Sequence, residues 1–342
     1  MKMRTSKYIS VLLAFCIAVI SCEREDGPAV QEDGRPIVFT AESEWTQITK
    51  AELAGRDDLI ADGFNAWGVL HRESDGDPNT TISIDVFGTD GTAVSSQGSG
   101  DSLIPDKKAA WNKGYYSFAA IYPPSQFSGS LSSSFEKTTE DDVITTGYTD
   151  VLTVNLGDSG FDLSAMQEDL MYAFENIDNS EEDASKVSLD FYHAFALLDV
   201  RLTHNGARVS KVSLYGIHDT VTGDLQFTHR SNGDSKTAVV TSNFGDLLTE
   251  ATVSTTVDPY YEAEYTPGQG FAYTDETIAI VDDLLVFPEI LSVTTALTIA
   301  VELQYNGQSK VFTATINDGE WASGGTYVYK MVVDTSKFDT TE

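Results

Sequence analysis

From Lys186 to His193 the chain alternates strictly, with Val187, Leu189 and Phe191 on one parity and Ser188 and Asp190 on the other. A period of two belongs to an extended strand, whose successive side chains point to opposite faces. Ile82-Ser83-Ile84-Asp85-Val86-Phe87 repeats the pattern. Short apolar runs recur at Ile37–Ala41, Ala66–Leu70, Tyr115–Tyr122, Ala196–Leu202, Lys211–Tyr215 and Tyr327–Val333. Turn signals separate them, including Ser95–Asp101, Asn205-Gly206 and Asn306-Gly307. The last joins Leu297–Tyr305 to Lys310–Ile316 as a hairpin. Only Ala51–Ala61 and Ala165–Ala173 have the pattern of short helices. Many short strands with frequent glycine turns predict an all-β chain of antiparallel sandwiches. The acidic break at Asn176–Ser185 predicts two domains in series, 37–180 and 181–342.

The mature chain cannot form an internal disulfide. Of the two cysteines, Cys16 lies in an apolar leader, which leaves Cys22 alone. Stability must then come from apolar cores, for which 17 Phe, 15 Tyr and 41% hydrophobic residues supply the material. A formal net charge of −32 argues against nucleic acid as a partner, because the surface repels phosphate.

The N-terminus has the plan of an export signal. Lys2, Arg4 and Lys7 precede an apolar run from Tyr8 to Ile20, broken only by Ser10. That run is shorter than the roughly 20 residues a bilayer span requires, so residues 1–21 are expected to be cleaved. The ending Val19-Ile20-Ser21-Cys22 resembles the lipobox of bacterial lipoproteins. The resemblance implies cleavage between Ser21 and Cys22 and acylation of Cys22. Two or more acyl chains anchor a protein stably to a membrane, whereas one does so marginally. Residues 22–36 are expected to be an acidic tether. Glu23, Arg24, Glu25 and Asp26 resemble the surface-export signal of some Gram-negative lipoproteins.

Recognisable catalytic motifs are absent. His71, His193, His204, His218 and His229 have no metal-site spacing, and no metal or other cofactor is expected. Asp75-Gly76-Asp77-Pro78-Asn79 begins like a calcium loop, but Thr80 stands where glycine is required and Val86 where glutamate is. It reads as a solvated turn. There is no Gly-x-Ser-x-Gly elbow and no phosphate loop. Carboxylates are plentiful, but no spacing singles out a glycosidase pair. The chain is expected not to be an enzyme.

Five segments together resemble the fimbrillin family, the type V pilins and pilin-like lipoproteins. They are Ile37-Val38-Phe39-Thr40-Ala41; Phe64-Asn65-Ala66-Trp67-Gly68-Val69; Trp111 through Tyr115-Tyr116-Ser117-Phe118-Ala119-Ala120-Ile121-Tyr122-Pro123; Asp169-Leu170-Met171-Tyr172-Ala173 followed by Val187–His193; and Trp321–Tyr329. The Trp and Tyr positions among them are expected to fill cores. The resemblance implies two transthyretin-like β-sandwich domains in series. It also implies proteolytic removal of a lipidated N-terminal strand and filling of the vacated groove by a strand of the next subunit. The family's cut follows a basic residue, often in a Thr-Arg-Ala context. Thr49-Lys50-Ala51 is the nearest match, with Lys50 in place of arginine, and Arg56 is the only arginine nearby. The tail Asp334–Glu342 carries Phe338 as its lone large apolar residue, too few anchors for a donor strand.

The expected role is thus a stalk, tip or anchor subunit of a fimbria on the outer membrane of a Gram-negative bacterium. Its expected partners are other pilin subunits, the membrane through its lipid, and a host or microbial surface ligand. The alternative is a monomeric surface glycan-binding lipoprotein with an exposed aromatic platform including Tyr260 and Tyr261. An extracellular hydrolase is the third reading.

Overall fold

The computed structural model describes residues 35–43, 56–74, 77–96, 102–140, 143–156, 160–204, 207–231, 238–244, 246–247, 258–265 and 277–333. The first group of elements is β1 (Phe39–Ser43), α1 (Arg56–Asp62), β2 (Phe64–Ser74), β3 (Asp77–Asp85), β4 (Thr92–Ser96), β5 (Leu103–Pro105) and β6 (Tyr115–Tyr122). The long pair β7 (Ser128–Glu140) and β8 (Val143–Asn155) follows. Next come β9 (Phe161–Asp162), α2 (Leu163–Met166), β10 (Met171–Asp178) and β11 (Val187–His193). The remainder is β12 (Ala196–His204), β13 (Arg208–Tyr215), β14 (Thr220–Val221), β15 (Asp224–Ser231), β16 (Val239–Ser242), β17 (Tyr261–Glu264), β18 (Thr277–Val286), β19 (Glu289–Leu291), β20 (Leu297–Tyr305), β21 (Gln308–Ile316), β22 (Gly319–Trp321) and β23 (Thr326–Val333). The fold is all-β, as the alternation predicts. Among the described residues no helix is long and apolar enough to cross a membrane.

The first sheet runs β3-β2-β4-β5-β1-β11-β10-β6, and β2 also pairs with β6. Residues Asn65–His71 of β2 face β6, while Phe64–Ala66 face β4 on its other edge. The sheet therefore closes on itself, which removes free edges along the closed part. Its interior holds Phe39, Phe64, Leu70, Trp111, Tyr116, Phe118, Met171, Leu189 and Phe191. The intervening residues of the same strands, Trp67, Ala119, Ile121 and Tyr172, point outward into a second core. That core is covered by the sheet β16-β15-β8-β7, which contributes Leu152, Val154, Leu225 and Phe227. Because β2 and β6 are buried on both faces, their sequences read as apolar runs rather than as alternation.

The third core lies between the sheet β18-β12-β23 and the sheet β17-β13-β20-β21. Leu198, Val200 and Leu202 of β12 meet Val212 and Leu214 of β13 and Ile299, Val301 and Leu303 of β20. The expected hairpin at Asn306-Gly307 is present. Both residues take positive φ, 50° and 79°, as a two-residue turn of the type I′ class requires.

Several expectations meet the structure differently. Most strand pairs are antiparallel, but β1–β11 and β12–β23 run parallel. The boundary expected between residues 180 and 181 falls between β10 and β11, which are neighbours in the first sheet. The acidic break is a connection within that sheet: Asn179 donates to Asn112 O at 2.6 Å and exchanges backbone bonds with Gly114. The helix expected over Ala165–Ala173 is only the turn α2, which ends at Gln167 in the left-handed region. From Met171 the chain is strand β10, because Met171 and Ala173 fill one core while Tyr172 fills the other. Of the helix expected over Ala51–Ala61, the described part is α1. Gly63 closes it at φ 75°, its N–H donating to Leu59 O at 3.2 Å, the role of a glycine just past a helix end. Asp77–Asn79, read as part of a turn, opens strand β3, and Asn205-Gly206 lies outside the described residues.

Candidate functional site: the seat of the first strand

Strand β1 is inlaid in the closed sheet. It runs parallel to β11, with Phe39 opposite Val187 and Ser43 opposite Phe191. On its other side Phe39 faces Leu103 of β5. The Val187 N–H donates to Val38 O at 2.8 Å. Upstream, Ile37 N–H donates to Ala109 O at 2.9 Å and Trp111 N–H donates to Arg35 O at 3.0 Å. The guanidinium of Arg35 reaches the carbonyls of Ala184 and Glu182 at 3.0 and 2.6 Å.

Ile37, Phe39 and Ala41 point inward and are almost wholly buried. The ring of Phe39 meets Phe64, Phe87 and Phe118 at centroid distances of 6.0, 6.1 and 5.8 Å. Two of these contacts are edge-to-face, an arrangement aromatic pairs favour. Burying an Ile or Phe side chain contributes about 1.5–3 kcal/mol. The strand is thus a structural part of the core, with its anchors spaced two residues apart.

Arg56, one of the two candidate cleavage residues, is the first residue of α1. Its Nε lies 3.3 Å from Glu42 of β1. Both side chains are substantially exposed, so the pair tethers β1 only weakly. Leu59, one turn on, is fully buried in the same core as β1. Ser21, Cys22 and Lys50 lie outside the described residues.

A buried polar network sits between the barrel face and the covering sheet, and the sequence reading did not foresee it. Ser133 Oγ donates to Asp150 Oδ1 at 2.5 Å and lies 2.8 Å from His71 Nε2. Asn176 Nδ2 donates to Asp150 Oδ2 at 2.9 Å, and His229 Nδ1 lies 3.3 Å from the same oxygen. Burial lowers the pKa of His71, and the charge of Asp150 partly opposes this. The three residue types are those of a serine hydrolase, but the roles differ. Asp150 holds Ser133 rather than His71, whose Nδ1 meets Ser83 at 2.9 Å, and both His71 and Asp150 are wholly buried. The network is built to satisfy buried polar groups where two layers meet.

The expected aromatic platform is not where it was placed. Tyr260 is buried, and its hydroxyl donates to Leu285 O at 2.6 Å. It packs in the third core, where Tyr261 is half-buried beside it. His193 is likewise internal, its Nδ1 2.6 Å from Asp169 Oδ2.

Similar solved structures come from Bacteroides. One is described as a candidate cell adhesion protein of Bacteroides uniformis (14% identity, 88% of this chain and 93% of that chain, TM-score 0.37). Another is a fimbrial protein of Bacteroides ovatus (15% identity, 88% and 50%, TM-score 0.30). A third is described as a candidate polysaccharide-binding protein of Bacteroides thetaiotaomicron (11% identity, 88% and 93%, TM-score 0.27). Among curated proteins none matches the chain. The family model described as fimbrillin-like matches residues 63–342, covering all elements from β2 onward, and the chain therefore belongs to the fimbrillin-like family.

Proposed function

We propose that this protein is a fimbrial subunit of a Gram-negative cell surface, in a stalk, tip or anchor position. In this reading it is exported by residues 1–21 and held in the outer membrane by lipid on Cys22. A cut after Lys50 or Arg56 frees β1, and the next subunit contributes a strand in its place. The reading involves other pilin subunits and a surface ligand as partners, and no catalysis.

The observation that carries it is the seat of β1. A short strand and the residues leading into it bear three buried side chains at alternate positions, Ile37, Phe39 and Ala41; the strand lies between two strands of a closed sheet and precedes both candidate cut sites. Its loss would leave two strand edges with unpaired N–H and C=O groups above an apolar slot. An extended segment with apolar residues at every second position complements such a slot by β-augmentation. The two cuts differ in one consequence. A cut after Lys50 leaves Arg56 on the body and severs its link to Glu42. A cut after Arg56 removes both partners together.

The test is mass spectrometry of the protein recovered from the cell surface, with Lys50→Ala and Arg56→Ala variants alongside. An N-terminus at Ala51 or Asp57, lost in the matching variant together with high-mass ladders, supports a polymerising subunit. A chain still beginning at acylated Cys22 in assembled fibres supports an anchor that keeps β1. A monomer with β1 retained and no fibre association overturns the reading.

A further inference from the structure

A cleft of about 380 Å³ opens where the barrel and the covering sheet diverge, within the size range of small-ligand pockets. The pairing of β10 with β11 stops after Tyr172 and Tyr192. Beyond that point Glu175 and Asp190 line the gap. The walls are aromatic. Phe174 stacks on His229 at 5.1 Å, and Tyr172 lies 6.1 Å from Tyr192, which is 37% exposed. Val240 of β16 closes the far side.

The chemistry of this lining is one-sided. Glu175 and Asp190 offer only acceptors when ionised. Asn176 has given both amide hydrogens away, to Ser117 at 3.0 Å and Asp150 at 2.9 Å, and its Oδ1 is left without a partner. No lysine or arginine lines the cleft among the described residues. Burial, and then the neighbouring charge of Asp190, push the Glu175 carboxyl up to about 7. Two carboxylates without a cation, beside aromatic faces, complement a group that is positive, donates hydrogen bonds and is weakly hydrated on its stem. A metal ion fits less well. Among the described residues, the one group of three or more acidic, histidine or cysteine side chains close enough together to share an ion is Asp199, Asp282 and Asp283, elsewhere in the fold.

We propose that the cleft between β10, β11 and β16 binds an alkylammonium group, such as the side chain of a lysine presented by a partner. The ammonium sits between the carboxylates of Glu175 and Asp190, and its methylene stem lies against Tyr192. The site does not rest on polymerisation, but the cleft shares β11 with the seat of β1, Asp190 standing opposite Glu42, so its test uses the uncut chain.

The test is titration calorimetry on the full chain as isolated, with Nα-acetyl-lysine methylamide as the probe. Its norleucine counterpart, glucose and calcium chloride serve as comparisons. Saturable binding of the lysine compound at millimolar concentration or below is expected, with none for the other three. Asp190→Asn is expected to weaken it about tenfold, the change that removing one close charge produces, and Tyr192→Ala to weaken it severalfold. Asp190 is exposed, so that variant is expected to keep the parent melting temperature. Glu320→Gln, an exposed acid on β22, is the control for general attraction to an acidic protein. No saturable binding, equal weakening by Glu320→Gln, or equal binding of the norleucine compound overturns the proposal. Glucose or calcium binding lost in Asp190→Asn also overturns it, and assigns the cleft to a glycan or a metal instead.

Discussion

Replacing Phe39 with alanine tests whether β1 is a structural part of the barrel or merely laid on it. The ring is fully buried and sits among Phe64, Phe87 and Phe118, with centroids 5.8–6.1 Å away. Its neighbours belong to a closed sheet and cannot collapse far into the space left behind. Phe-to-Ala changes at such sites cost about 3–5 kcal/mol, transfer and cavity together. The expected loss is in that range, measured by guanidinium denaturation of the uncut chain. Hydrogen exchange localises it: the Val187 amide, bonded to Val38 O at 2.8 Å, is expected to exchange faster in the variant. Amides of β20, in the third core, are expected to change less. If β1 is removed on maturation, as proposed, the substitution is lost with it, and the cost is expected only in the uncut chain. A loss under about 1 kcal/mol in the uncut chain, with Val187 still protected, would refute the claim that β1 closes the core.

Glu175→Gln is expected to stabilise the protein above neutrality and to leave it unchanged near pH 4.5. The folded-state pKa is raised from 4.5 to about 7, so folding holds the proton, and stability falls as pH rises through that window. The shift corresponds to at most ~3 kcal/mol at pH 8, reduced to ~1–2 by partial solvation. Parallel stability curves for parent and variant from pH 4.5 to 8 would sink this. Gly63→Ala is expected to cost at least ~2 kcal/mol, combining a left-handed backbone with a Cβ placed 2.2 Å from Val94 O. A melting temperature within a degree of the parent would show instead that the end of α1 can rearrange.

The alternation in β3, β11 and β20 and the turn at Asn306-Gly307 act locally. Each strand's period and each turn's need for positive φ are properties of a few consecutive residues. They therefore determined the all-β class and several strand limits without reference to the rest of the chain. The motif segments behaved similarly in part: Trp67, Trp111, Tyr116 and Trp321 are core residues, as expected, whereas Tyr192 is 37% exposed because it falls on the outward parity of β11. What those segments share is spatial. The four that contain β1, β2, β6, and β10 with β11 are walls of a single closed sheet.

Local patterns could not show closure, because the second pairing of β2 joins residues far apart in sequence. Nor could they show the covering hairpin. The strand β7 is serine-rich, and only its pairing with β8 and the hydrogen bond of Ser133 to the buried Asp150 reveal its role. The parity of β10 explains the misjudged helix: Met171 and Tyr172 are both apolar because each faces a different core. The acceptor-lined cleft depends most of all on tertiary structure. Glu175, Asp190 and Val240 have no local relation, and they come together only because β10 parts from β11 beneath the covering sheet.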